Sequence, residues 1–131
     1  MPLEKRDVSV LQHIVEHGYE VEKTLARFGA RREIFNRDFL YRNAVSMPVF
    51  AITELTKHLS EEFKASYAEI PWTSISAMRN RFAHDYSSID WDILWQTACE
   101  DIPVVCAFCQ TVLRENGQDV PSPGSIDQMI E

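Results

Sequence analysis

The chain has 131 residues, the usual size of a single folded domain, of which 45% are hydrophobic and 25% are charged. Its formal net charge of −7 argues against broad, nonspecific binding of nucleic acid, because the field of the whole protein repels phosphate. No apolar run approaches the roughly 18 residues of a membrane span, and three cysteines are too few for a disulfide framework. These features predict a cytoplasmic protein without membrane association, and they leave room for a small, local basic site.

Apolar residues recur every three or four positions along the chain and strand-like alternation is weak, which predicts an all-α fold. The first predicted helix covers residues 7 to 28 and ends before Gly29. The second covers residues 31 to 59, and we expect Pro48 inside it to kink or divide it. Residues 60 to 67 are predicted to form a loop or a short helix.

The third predicted helix begins at Pro71, since proline suits the first turn of a helix, and ends near Tyr86. Ser87 stands three positions before Asp90. That spacing matches the capping box, in which a serine hydroxyl satisfies the first free N–H groups of a helix. We therefore expect the fourth helix to begin at residue 89.

The fourth predicted helix continues to about residue 116 with a bend at Pro103. Residues 118 to 131 contain two prolines, a glycine and few apolar groups, and are predicted to be a flexible tail. Residues 1 to 117 then form the helical domain. Four long helical segments joined by short loops predict an antiparallel four- to five-helix bundle.

The sequence CAFC at residues 106 to 109 matches the spacing of a zinc or redox motif. A zinc site needs two more ligands, and no second cysteine pair exists in the sequence. Core cysteines, which behave as small hydrophobic residues, are the preferred interpretation. One apolar stripe at helical spacing contains them: Trp95, Cys99, Ile102, Cys106, Cys109 and Leu113.

The sequence HIVEH places His13 and His17 on one helical face, as in a zinc-peptidase motif. A peptidase also needs a third ligand and a substrate cleft, so surface or boundary histidines are the preferred interpretation. Trp91 and Trp95 are four positions apart and are expected to pack in the core, with base stacking or a partner interface as the alternative. A solvated helix face is expected for four neighbouring arginines: Arg27, Arg31, Arg32 and Arg37.

The densest set of chemical side chains is RNRFAHDY, residues 79 to 86. On a helix, Asn80 and His84 share a face, but Arg79 and His84 are five positions apart and diverge by about 140°. They would converge if the helix ended or unwound near Ala83, or if a second subunit completed the cleft. Ala83 also leaves space beside His84 for a ligand.

Histidine exchanges protons near neutral pH, and arginine keeps its charge and offers a fork that fits phosphate. Together they suit metal-free cleavage of RNA, with His84 taking the proton of a ribose 2′-hydroxyl and Arg79 stabilising the transition-state charge. Asn80 would orient the phosphate or the imidazole. The alternative is a helix end, where the helix dipole favours residues such as Arg81 and His84 and where Asp85 pairs with Arg81. On spacing alone, the helix end is the preferred interpretation.

The same residues resemble the R-N-x-x-x-H-x-Y signature of HepT-like toxin ribonucleases in the HEPN superfamily. The resemblance extends over about residues 7 to 114, including the Pro-Trp run-up in residues 69 to 86. In the helix before the motif, Asp38 and Glu54 fall where that family commonly has acidic residues. Thr53 departs from the pattern, because the family often has glycine before that glutamate.

The resemblance implies a HEPN-like helical bundle, usually a homodimer, whose paired motifs line a cleft between subunits. It implies a metal-independent endoribonuclease toxin of a type VII-like toxin–antitoxin module, with RNA as substrate and no metal or cofactor. Arg79 and His84 match the catalytic pair, Asn80 matches the polar residue that follows the arginine, and in a dimer Arg81 would add positive charge to the cleft.

By analogy with related systems, Tyr86 would receive AMP from a minimal nucleotidyltransferase antitoxin, adding charge and bulk beside the RNA cleft. The resemblance leaves open whether the homodimer and that antitoxin form a larger complex. The alternative function is a HEPN binding module with weak activity that serves as the partner of a nucleotidyltransferase.

Overall fold

The computed structural model of the chain describes residues 3 to 125, and within that range it contains helices and no β-strand. This confirms the predicted all-α class. Seven α-helices follow one another: α1 (Lys5–Arg27), α2 (Arg32–Arg37), α3 (Phe39–Lys57), α4 (Glu61–Ser66), α5 (Trp72–His84), α6 (Trp91–Gln96) and α7 (Ile102–Glu115). None of these helices is both long and apolar enough to cross a membrane.

Helix α1 is the centre of the bundle and packs against α3 and α7, while α5 packs against the outer side of α3. The neighbouring helices are antiparallel, as paired contacts show. Asp7 near the start of α1 accepts hydrogen bonds from Ser60 after the end of α3. Near the other ends of the same two helices, Phe28 stacks on Tyr41 with ring centroids 4.2 Å apart.

The second predicted helix is divided, but the break is at Asp38 and not at Pro48. Asp38 has extended backbone angles, and its side chain accepts a hydrogen bond from the Leu40 amide at 2.9 Å, which starts α3. Helix α3 continues through Pro48, whose ring is buried. Segment 60 to 67 is a short helix, capped by the Ser60 hydroxyl.

Helix α5 ends at His84, two residues before the predicted end, and a 3₁₀ turn (Tyr86–Ser88) follows it. The predicted capping box at Ser87 is wrong. Asp90 caps α6 instead, accepting from the amides of Asp92 and Ile93, because the Ser87 hydroxyl donates to Asp85 at 2.7 Å. Helix α6 therefore begins at residue 91 and not at residue 89.

The fourth predicted helix is interrupted by a π turn (Thr97–Asp101) that leads into Pro103 in the first turn of α7. A π turn holds one residue more than an α-turn and therefore shifts the spacing of buried positions. Ala98 takes the buried position, and Cys99 is exposed. The prediction that all three cysteines lie in the core is therefore wrong for Cys99 and right for Cys109.

Aromatic rings fill the end of the core where α2, α3 and α6 meet. Trp91 and Trp95 both contact the buried ring of Phe35, and Trp95 also contacts Tyr41. This confirms the prediction that the two tryptophans pack in the core. A second aromatic group joins α4, α5 and α7 and contains Phe63, Tyr67, Trp72 and Phe108.

The first residues of the predicted tail lie against α1. The Gln12 side chain donates to the carbonyl of Asp119 at 3.0 Å, and the Tyr19 hydroxyl donates to the carbonyl of Pro121 at 2.8 Å. Residues 126 to 131, the remainder of the predicted tail, lie outside the described residues.

Candidate active site

The motif residues lie along the interface between α5 and α3, where three contacts follow one another. Because the two helices are antiparallel, Arg79 meets Glu54, Phe82 meets Phe50, and Tyr86 meets the first half of α3. Phe82 is 8% exposed, and its ring centroid lies 5.3 Å from that of Phe50. This apolar contact fixes the motif segment on the core, between the polar contacts on either side.

The Arg79 guanidinium is held in a fixed orientation by two neighbours. Its Nε donates to Glu54 Oε2 at 2.7 Å, its Nη2 donates to Glu54 Oε1 at 3.4 Å, and its Nη1 donates to Asn80 Oδ1 at 3.2 Å. Guanidinium carries five N–H donors, so two remain for another acceptor. The Arg79 side chain is 20% exposed, so part of it reaches the protein surface.

The charges of this pair support each other. The hydrogen bond from Arg79 lowers the pKa of the Glu54 carboxyl, and the same bond raises the pKa of the Arg79 guanidinium. Both groups are therefore charged at neutral pH. Glu54 carries a charge that offsets that of Arg79 while leaving part of its fork available for phosphate.

His84 is the last residue of α5 and is exposed. Its side chain makes no hydrogen bond or ion pair with any residue between 3 and 125. Its imidazole is therefore available to take a proton from a ligand. The role of His84 as a general base stays a prediction.

Tyr86 follows on the 3₁₀ turn and reaches back to α3. Its hydroxyl oxygen lies 3.0 Å from Asn43 Oδ1 and 3.3 Å from Ser46 Oγ, and 42% of the residue is exposed. Its ring makes an edge contact with Trp91. Sequence reasoning missed Asn43 and Ser46, which belong to no motif.

Arg81 is exposed at the same helix end. Asp85, its expected ion-pair partner in the helix-end interpretation, instead accepts the hydroxyl of Ser87. Within the described part of the chain, Arg81 makes no ion pair, so its positive charge is uncompensated by direct contact.

The structure decides part of the geometric question about Arg79 and His84. Helix α5 ends at His84, one residue after Ala83, and it does not unwind before that residue, so both side chains project from helical backbone. Five residues of regular helix keep them about 140° apart. Completion of the site by a second subunit stays a prediction.

The other candidate sites have ordinary structural partners. His13 is exposed and bonds to the carbonyl of Ser9 at 2.7 Å, and His17 bonds to Glu20. Residues 3 to 125 contain no group of three side chains arranged to hold a metal ion. The histidines therefore lie at the surface and boundary, as predicted.

The predicted basic patch is a solvated face around α2. Arg32 pairs with Asp92, and Arg31 lies 3.6 Å from the carboxylate of Glu33, with both arginine side chains about half exposed or more. These two carboxylates offset two of the four arginines and so reduce the positive field of the patch.

Helix α5 presents a second face to an apolar cavity of about 200 Å³ beside Thr53, Ile75 and Met78. Thr53 stands where the family that the sequence resembles often has glycine. Its side chain is buried beside this cavity, and its hydroxyl donates to the Phe50 carbonyl at 2.7 Å. The larger side chain is thus accommodated without an unpaired hydroxyl.

Comparisons with known proteins identify the family of the chain. The family model described as Ribonuclease HepT-like matches residues 12–112. A protein of Caldanaerobacter subterraneus subsp. tengcongensis named "Putative RNase" is 31% identical over 106 residues, covering 80% of this chain and 92% of that protein. The "Probable ribonuclease HepT" of Thermococcus cleftensis is 37% identical over 76 residues, 55% of this chain and 69% of its own.

A "Putative RNase" of Methanocaldococcus jannaschii is 28% identical over 104 residues, which covers 79% of this chain and 94% of the relative. No solved structure matches the chain significantly. The family match includes α5, with the whole motif from Arg79 to Tyr86, and the part of α3 that contacts it. The chain belongs to the HepT-like ribonuclease family of the HEPN superfamily.

Proposed function

We propose that the chain is a metal-independent endoribonuclease in which Arg79 and His84 perform the chemistry. The observation that carries the proposal is the state of these two side chains. Glu54 and Asn80 hold the Arg79 guanidinium with two donors left over, and the His84 imidazole is exposed without a partner in residues 3 to 125. This is the pair of groups that RNA cleavage through the 2′-hydroxyl requires.

In the proposed reaction, His84 takes the proton of a ribose 2′-hydroxyl, and the 2′-oxygen forms a bond to the adjacent phosphorus. The bond from phosphorus to the 5′-oxygen of the next nucleotide breaks, and that oxygen takes up a proton from water. The products are a 2′,3′-cyclic phosphate and a free 5′-hydroxyl. Arg79 stabilises the extra negative charge of the transition state. Proton transfer by a positioned base typically contributes about 10²–10⁴-fold.

We place this site in the cleft of a homodimer. Support comes from the regular geometry of α5, which keeps Arg79 and His84 of one chain on different sides of the helix. A cleft lined by two motifs would combine groups from both chains and would collect Arg81 of each chain, which makes no ion pair in residues 3 to 125, and Arg79 of each chain, which Glu54 partly offsets, against a net charge of −7 per chain.

The experiment is RNA cleavage by purified protein in the presence of EDTA, with product ends identified. We expect cleavage leaving 2′,3′-cyclic phosphate, and loss of at least about 10²-fold in rate for His84→Ala. His13→Ala is the matched control, because His13 is also exposed but belongs to another surface. Full activity of His84→Ala would refute the mechanism. If neither the wild type nor the variant cleaves RNA and both still bind a nucleotidyltransferase, the chain is a binding module instead.

We further propose that the chain is the toxin of a type VII-like toxin–antitoxin module, neutralised when a nucleotidyltransferase antitoxin adds AMP to Tyr86. The transfer forms a bond from the phenol oxygen to the α-phosphorus of ATP and releases pyrophosphate. Partial exposure of Tyr86 beside the motif supports this site. Co-expression with such an enzyme should add multiples of an AMP mass, and Tyr86→Phe should remove them. Unchanged addition to Tyr86→Phe would exclude this residue.

A further inference from the structure

His84 lies between two points at which its segment is attached to α3. Two residues before it, Phe82 packs on Phe50. Two residues after it, the Tyr86 hydroxyl bonds to Asn43 and Ser46. The imidazole makes no polar contact of its own in the described structure, so these neighbours determine the position of the backbone from which it projects.

The attachment through Tyr86 has the larger effect on the position of His84, because the backbone leaves the helix immediately after His84. Asp85 has φ −154° and ψ 75°, and the last turn of a helix lacks part of its hydrogen bonding and frays easily. Among the residues after His84 in this turn, Tyr86 provides the polar link to α3, and its ring also meets Phe82 and Trp91.

Donor and acceptor roles at this link follow from the partners. Ser46 Oγ donates its own proton to the carbonyl of Arg42 at 2.7 Å, so towards Tyr86 it acts as an acceptor. Asn43 Oδ1 is the second acceptor, and the Asn43 side chain makes no other hydrogen bond in residues 3 to 125. Both bonds therefore depend on the single proton of the Tyr86 hydroxyl.

We propose that Asn43 and Ser46 are positioning residues that hold His84, through Tyr86, where it can take the substrate proton. The inference rests on the proposed ribonuclease function. It has a consequence for regulation: any group joined to the Tyr86 oxygen replaces the proton and breaks both hydrogen bonds. Modification there would release the end of α5 that carries His84, in addition to adding charge beside the cleft.

The test is a double-mutant cycle with Tyr86→Phe, Asn43→Ala and the two combined, measured as kcat and KM for RNA cleavage. Each single change should lower kcat by about 2- to 13-fold, the range of one net hydrogen bond, and leave KM unchanged. The combined variant should be no slower than the slower single variant. Asn43→Asp, which keeps an acceptor oxygen, should restore kcat, and the pH profile should keep its midpoint in Tyr86→Phe and Asn43→Ala, which add no charge.

Asn36→Ala is the matched control, since Asn36 is exposed and its side chain makes no hydrogen bond in the described chain. The inference is overturned if both single variants keep the wild-type kcat, or if their effects multiply in the combined variant. If His84→Ala is inactive at the same time, the proposed function still holds. An inactive wild type would refute the proposed function itself. In that case the NMR signal of the His84 ring tests whether Asn43 and Ser46 position His84 through Tyr86. The signal should change in Tyr86→Phe and Asn43→Ala and stay constant in Asn36→Ala. An unchanged signal in the first two variants overturns the inference.

Discussion

Glu54 is the residue that determines which N–H donors of Arg79 remain available. Because the pKa of Glu54 lies below its ordinary value of 4.5, the ion pair contributes stability fully above that value and loses it as pH falls through the lowered pKa. We expect Glu54→Gln to be less stable than wild type at neutral pH, with a difference that disappears on acidification. Urea unfolding of both proteins from about pH 7 to about pH 2 measures it.

The same variant tests the role of Glu54 in catalysis. Glutamine keeps an acceptor oxygen but loses the charge, so it holds the guanidinium less firmly, and the cleavage rate should fall. A constant stability difference over the whole pH range would contradict the assignment of the pKa shift to this pair.

Tyr41 contains a buried hydroxyl that has no hydrogen-bond partner among residues 3 to 125. Burial raises the pKa of this phenol to about 12. An unsatisfied buried polar group costs about 1–3 kcal/mol, so Tyr41→Phe should increase the free energy of unfolding by about that amount. Chemical denaturation at neutral pH measures the change.

Tyr19→Phe is the matched control for this prediction. The Tyr19 hydroxyl donates to the Pro121 carbonyl and accepts from Gln110, both at 2.8 Å. Its removal should lower the free energy of unfolding by about 1 kcal/mol. If Tyr41→Phe also destabilised the protein, the Tyr41 hydroxyl would have to be satisfied in solution.

Close packing of α1 against α7 depends on Gly18. A Cβ atom at this position would lie 2.8 Å from the Sγ and 3.1 Å from the Cβ of Cys106. Gly18→Ala should therefore cost about 1–3 kcal/mol through overpacking. Thermal unfolding should show a lowered Tm, and Cys106→Ala in the same chain should recover part of the loss by removing the sulfur. No recovery would mean that the backbone, rather than the thiol, limits the approach.

The order of the helices could be predicted from periodicity, but several of their ends could not. Ser87 and Asp90 are both good cap residues, and the choice depends on Asp85, which takes the Ser87 hydroxyl. The break at Asp38 depends on a side-chain bond to a single amide. Pro48, the stronger breaker by sequence, lies inside an uninterrupted α3. Such local competitions involve individual hydrogen bonds that a periodic pattern does not encode.

The candidate site could be predicted from the sequence where its residues lie in one short segment. Arg79, His84 and Tyr86 stand in eight consecutive residues, whereas their partners come from another helix. A signal for those partners exists in α3: Asn43, Ser46, Phe50 and Glu54 follow at intervals of three, four and four residues, the spacing of one helical face. Sequence alone does not show that this face meets the motif.

The whole molecule carries a net charge of −7, so its attraction for RNA must be local. Affinity for single-stranded nucleic acid depends on salt with a slope of about −0.7 per phosphate contact. With at most four arginines in the proposed cleft between two chains, we expect a slope no steeper than about −3. Binding of RNA to the inactive His84→Ala variant, measured against salt concentration, gives this slope. A slope near −6 would require a further cationic surface.

The π turn before α7 acts as a phase shift in the chain. It holds one residue more than an α-turn, and the chain continues from it into α7, which packs on α1. Deleting one residue there should close the π turn to an α-turn, so that Cys109, Val112 and Leu113 stay on the face that is buried in the core. Deleting one residue at the start of α7 would instead rotate all later side chains by about 100° around the helix axis. Residues 97 to 101 are therefore the part of the last two helices where we expect the chain to tolerate a change of length.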